Sequence, residues 1–122
     1  MLKNKPTVVI GASPNPDRYS YKATLSLLNA KHKVYPIGIR NAKINQLDII
    51  TSKPVLTDID TVTLYVGKDN QSAWFDYIIS LKPKRVIFNP GTENDVFEKV
   101  LSEHGIETIE ACTLVMLATN QY

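Results

Sequence analysis

The chain has 122 residues, a formal net charge of +2, 43% hydrophobic and 21% charged residues, and one cysteine. That is room for a single compact domain, expected over residues 1–122, and it leaves out a disulfide framework, a multi-cysteine metal or redox site, and a membrane span, for which no apolar run is long enough. No apolar stretch of secretory length follows Met1-Leu2-Lys3-Asn4-Lys5-Pro6, so a cytoplasmic protein is expected.

The first strand signal is the β-branched run Thr7-Val8-Val9-Ile10, ending at Gly11 and followed by the turn-rich segment Ala12 to Tyr19. Ala23, Leu27 and Leu28 then approximate helical spacing over Ser20 to Ala30, with Ser20 as the expected N-cap. Lys33 to Ile37 reads as the second strand, and residues 41–60 carry no strong pattern. Thr61 to Val66 is the third strand, Asn70 to Leu81 a helix, and Arg85 to Phe88 the fourth strand. Asn94 to His104 is a helix with Gly105 placed for a left-handed cap, and Glu107 to Ile109 is the fifth strand. Cys112 to Ala118 is a short apolar segment suited to a terminal helix or a dimer interface. Strands alternating with helices imply right-handed crossovers, hence an α/β, Rossmann-like three-layer domain with a parallel sheet of about five strands. The expected strand order is 3-2-1-4-5.

In such sheets ligands bind beyond the carboxyl ends of the strands. The basic bias of residues 1–60, nine Lys/Arg against four Asp/Glu, is a mild pointer to an anionic small ligand there, and no nucleic-acid partner is expected. The loop after the first strand turns at Gly11 and presents Ala12, Ser13, Asn15, Arg18, Tyr19 and Ser20 before a helix N-terminus, where amide N–H groups and the macrodipole favour a phosphate. The usual dinucleotide pattern G-x-G-x-x-G is absent, because Pro14 and Pro16 follow Gly11 and neither can donate a backbone hydrogen bond. After the second strand, where an NAD-binding domain places a carboxylate, the chain reads Ile37-Gly38-Ile39-Arg40. An arginine there suits a phosphorylated ribose, which both NADP and coenzyme A carry. The loop Asn89-Pro90-Gly91-Thr92-Glu93-Asn94 offers Pro90, Gly91 and Thr92 beside the first loop, with Thr92 the expected cap of the following helix.

The string Val9-Ile10-Gly11-Ala12-Ser13-Pro14-Asn15-Pro16-Asp17-Arg18-Tyr19-Ser20-Tyr21, with Val34-Tyr35-Pro36-Ile37-Gly38, Asn89 to Asn94, Gly105-Ile106-Glu107 and Cys112, resembles the small stand-alone bacterial CoA-binding domain proteins of the YccU-like type. These are related to the N-terminal CoA-binding domain of the succinyl-CoA synthetase α subunit. The resemblance implies a first loop that receives the phosphate-bearing end of CoA, through Gly11, Ala12, Ser13, Arg18 and Ser20, with Gly38 and Arg40 at the second loop. Many relatives carry Asp-Arg-Cys where this chain has Glu110-Ala111-Cys112, so no role of that arginine transfers. The phosphohistidine-bearing domain of the synthetase has no counterpart, so ligase activity is not implied.

No catalytic constellation stands out. His32 and His104 lack partners at metal-ligand spacing, and Ser13 is not in a Gly-x-Ser-x-Gly elbow. Cys112 reads as a small hydrophobe, Lys82-Pro83-Lys84-Arg85 as solvated surface away from the cleft, and Trp74, Phe75 and Ile78 as a buried helix stripe. The leading expectation is a non-catalytic domain that binds CoA or acyl-CoA. An NADP-dependent oxidoreductase, and a regulatory or interaction module that binds a protein partner or itself through the terminal segment, are the alternatives.

Overall fold

Along residues 4–122, which the computed structural model describes, strands and helices alternate almost throughout. In chain order they are β1 (Thr7–Ile10), α1 (Tyr19–Asn29), β2 (Val34–Ile37), the short β3 (Lys43–Ile44) and β4 (Leu47–Asp48), β5 (Thr61–Leu64), α2 (Phe75–Leu81), β6 (Arg85–Phe88), α3 (Asp95–Glu103), β7 (Glu107–Glu110) and α4 (Thr113–Ala118). The five longer strands form one parallel, Rossmann-like sheet in the order β2-β1-β5-β6-β7, and β3 with β4 forms a separate antiparallel hairpin.

The three central strands β1, β5 and β6 are buried at every position, as continuous apolar runs require when helices cover both faces. One face packs Val8, Val62, Val86 and Phe88 against Ile78 of α2 and Phe97 and Leu101 of α3. The other sets Val9 and Val34 against Leu27 of α1, with Leu117 of α4 at its margin. Each such fully buried aliphatic or aromatic side chain contributes about 1.5–3 kcal/mol, so the core is made by the sheet and its two covers together. Among the described residues no helix is long and apolar enough to cross a membrane.

Counting the long strands in chain order, the sheet runs 2-1-3-4-5 and not 3-2-1-4-5 as expected. Two features place β2 at the edge. Pro36 lies within it and has no N–H to give a second ladder, which confines proline to edge strands. The outer side of β2 is then met by the chain itself: Gly38 N–H donates to the Ile50 carbonyl at 3.0 Å and Ile50 N–H to the Pro36 carbonyl at 2.8 Å. The weakly patterned stretch 41–60 is thus the hairpin and a wrap around this edge. It brings Ile44 and Ile49 to the α1 face, and Ile50, Leu56 and Ile59 to the α2 face.

Helix ends differ from expectation in instructive ways. The N-cap of α1 is Arg18, in extended conformation, and Ser20 is buried inside the first turn. The expected helix from Asn70 begins instead as two short 3-10 turns, Lys68–Asn70 and Ser72–Trp74, before α2 proper. Gly105, at φ +75°, ends α3 in a Schellman arrangement, with Gly105 N–H on the Ser102 carbonyl and Ile106 N–H on the Leu101 carbonyl, both 3.0 Å. Arg85 is not solvated: it is 8% exposed, its Nε donates to Thr61 Oγ1 at 2.8 Å, and its guanidinium lies 4.5 Å from the Tyr122 ring centroid.

Candidate functional site

At the switch point, where the chain leaves β1 for β2 on one side and returns to β5 on the other, the loops diverge and open a cleft of about 750 Å³. Two glycines permit the close approach that forms its floor. Gly11 has φ +96°, and a Cβ there would sit 3.0 Å from the Tyr65 backbone; at Gly38 a Cβ would lie 2.2 Å from the Ala12 carbonyl oxygen. With no side chains intervening, the Gly11 and Ala12 amides both donate to the Ile37 carbonyl, at 3.0 and 2.9 Å, which fastens the first loop to the end of β2.

The first loop brings Gly11, Ala12, Ser13, Arg18, Tyr19 and Ser20 to the cleft, and the second brings Gly38 and Arg40 with Ile39 between them. Asn15 is not part of the lining. Its carbonyl accepts from Arg18 N–H, its Oδ1 accepts from Asp17 N–H at 3.0 Å, and its own N–H donates to Ser13 Oγ at 3.1 Å, so it shapes the loop from outside. The α1 N-terminus has neither a side-chain cap nor an acidic residue in its first turn. The positive end of its dipole therefore reaches the cleft uncompensated, next to the guanidinium-bearing Arg18.

Opposite lie Pro90, Gly91 and Thr92. Thr92 does not cap α3: its Oγ1 donates to the Asn89 carbonyl at 2.8 Å, closing the turn. Asn94 is the cap, accepting from Phe97 N–H at 3.2 Å, and Glu98 accepts from Asn94 N–H at 3.2 Å. Asp95, Glu98 and Glu110 bring carboxylate oxygens within 4.8 Å of one another beside this helix end. Burial, and then the neighbouring Glu110, push the Glu98 carboxyl above its ordinary value.

The loop after β5 adds Tyr65, Val66, Gly67, Asn70 and Trp74 to the lining; residues 66–69 follow the third strand, where the sheet rule already expects a ligand, whereas Tyr65, Asn70 and Trp74 were not expected there. Burial pushes the Tyr65 hydroxyl up to about 12, so it stays protonated at neutral pH. Trp74 is half-buried, with Lys53 Nζ 4.8 Å from its ring centroid. With Phe75 and Ile78 this indole packs against the core, as the helix stripe implies, and its position after the two 3-10 turns also makes it part of the cleft wall. The polar run Lys68-Asp69-Asn70-Gln71 was the one signal that a regular helix does not begin there. Cys112 is half-buried at the head of α4 and outside the lining.

The described geometry agrees with the comparisons. The family model described as CoA binding domain matches residues 5–118. A crystal structure of an uncharacterised protein is 45% identical, with a TM-score of 0.97, covering 99% of this chain and 100% of its own. A hypothetical protein from Pyrococcus horikoshii OT3 is 23% identical with a TM-score of 0.86, covering 96% of this chain and 84% of that one. The dinucleotide-forming acetyl-coenzyme A synthetase 1 of Ca. Korarchaeum cryptofilum, in complex with phosphate and ADP, is 20% identical with a TM-score of 0.70; the match covers 88% of this chain and 26% of that one. These two share the fold. No curated protein matches the chain.

Proposed function

This chain belongs to the CoA binding domain family, and from that premise we propose that it binds coenzyme A or an acyl-CoA in the cleft, as a single domain over residues 1–122, without catalysing a reaction. The observation that carries the reading is that Arg18 and Arg40, from the loops after two adjacent strands, line one cleft that also holds the uncapped N-terminus of α1. Two guanidinium groups and a helix dipole favour a ligand with several phosphate charges, and coenzyme A has a diphosphate and a 3′-phosphate. Gly11, Ala12, Ser13 and Ser20, from the loop that leads into α1, form the wall that receives the diphosphate. Arg40, one loop away, takes the 3′-phosphate, and Tyr19, Gly38, Pro90, Gly91 and Thr92 complete the contact surface.

The non-catalytic part of the reading rests on what surrounds the ligand. The lining carries no histidine, cysteine or carboxylate, and Ser13 Oγ accepts a backbone N–H in place of meeting a base. A ligand held there meets phosphate-binding groups and no proton-transfer pair.

The test is Arg40→Ala titrated with CoA and with dephospho-CoA. Loss of a charge-assisted hydrogen bond weakens CoA by about tenfold to a hundredfold, roughly 1.5–3 kcal/mol. The penalty shrinks sharply with dephospho-CoA, which lacks the 3′-phosphate. Equal penalties for both ligands remove Arg40 from this role, and no penalty for either removes it from the site.

A further inference from the structure

Gln71 is completely buried, in a stretch where Phe75 and Phe97 stack and an aliphatic side chain would pack without needing partners. Its three hydrogen bonds explain the choice. Nε2 donates to the Val66 carbonyl at 2.9 Å and to the Thr92 carbonyl at 2.6 Å, and Oε1 accepts from Asn94 Nδ2 at 3.0 Å. Val66 and Thr92 lie on two different loops, and both line the cleft. Beyond the end of the β5–β6 ladder, no backbone hydrogen bond joins residues 66–71 to residues 89–94 among the described residues. Both side-chain hydrogen bonds that cross between these loops belong to Gln71. One amide, which can donate twice and accept, therefore spans a gap that the backbone leaves open.

We infer that Gln71 is a positioning residue that sets the separation of the two cleft walls after β5 and β6, so that ligand affinity depends on it more than the fold does. The inference rests on the proposed CoA site for its ligand, though not for its geometry. Removing the amide leaves two buried carbonyls and the Asn94 amide to find other partners, and the loops separate to admit water or draw in a new donor. The sheet and both core clusters lie outside this change.

The experiment compares wild type, Gln71→Met and Gln71→Glu, each folded at the temperature of measurement. Coenzyme A affinity is read by calorimetry, and the backbone amide resonances of the unliganded proteins by NMR. In Gln71→Met, which removes all three hydrogen bonds, CoA affinity falls about tenfold or more, and the amides of Gly67, Gly91 and Thr92 shift while those of Val8, Val62 and Val86 do not. In Gln71→Glu the carboxylate faces two carbonyl oxygens at neutral pH, and protonation restores one donor. Its affinity relative to wild type therefore recovers as pH falls, a profile that a purely structural role does not produce. Unchanged affinity in a folded variant overturns the inference, as does a shift spread evenly over the sheet amides. Should wild type take up no CoA, the functional reading fails, and the loop-confined amide shifts still decide the role of Gln71. If both variants fail to fold, the inference is overturned, because the fold then depends on Gln71 as much as the cleft does.

Discussion

Two helix N-termini face the carboxyl edge of the same sheet, and they are finished in opposite ways. That of α1 has an arginine at the cap position, no side-chain cap and no acid in its first turn. That of α3 is closed by Asn94, carries Asp95 and Glu98 in its first turn, and has Glu110 beside it. A capped, acid-compensated helix end is satisfied by its own chain, whereas an uncapped one beside arginines leaves donors and positive potential to be met from outside. On the proposed reading, the difference separates an end built for stability from one that receives a ligand, although topology gives both the same place.

Making α1 resemble α3 is the most severe way to break this contrast. Arg18 already has the extended backbone of an N-cap, so Arg18→Asp supplies a capping carboxylate and a charge that suits the dipole. Stability then rises by about 0.5–1 kcal/mol in urea denaturation. Coenzyme A affinity falls about a hundredfold or more, because a cation is lost and an anion stands in the phosphate's place. Improved stability with intact binding would dissolve the distinction between the two ends.

The reverse change opens α3. Asn94→Ala removes the cap on Phe97 N–H and the donor to Gln71, with an expected loss of about 1–3 kcal/mol by denaturant melt. CoA affinity falls far less than in Arg18→Asp, since Gln71 keeps its bonds to both loop carbonyls. A larger effect on binding than on stability would place this helix end in the site.

The finest adjustment concerns Glu98. Its carboxyl is raised above the ordinary 4.5 by burial and then by Glu110, so the folded state prefers it protonated. The contribution to stability is thus fully present below 4.5 and is lost as pH rises through the folded-state value. Glu98→Gln keeps an acceptor for Asn94 N–H and removes the ionisation. Thermal melts show it stabilised relative to wild type at neutral pH, with the gain vanishing in acid. A gain independent of pH would mean that folding does not raise the Glu98 carboxyl.

The contrast also marks what the sequence reveals and what it conceals. Gly11, Gly38 and Arg40 were legible because a tight turn and a cation at a strand end have few other uses in an α/β pattern. The caps were misplaced because residue preference pointed to Ser20 and Thr92, while the chain path after the proline-containing loop makes Arg18 the last extended residue, and the Asn89 turn engages Thr92. Strand order was legible in Pro36, had its missing N–H been weighed against a central position. Trp74 and Gln71 lie on the core face that a helical period gives them, and their part in the cleft was hidden because the 3-10 turns carry residues 66–74 along its wall before α2 begins.

Calorimetric titration of the wild-type protein with CoA and, separately, with NADPH tests the central claim most directly, since both nucleotides carry the ribose phosphate that Arg40 suits. The account predicts saturable binding of one CoA per chain, tighter than NADPH, accompanied by a change in fluorescence of the single tryptophan, Trp74, in the cleft wall. A folded protein that takes up no CoA at millimolar concentration, or that binds NADPH more tightly, would contradict it.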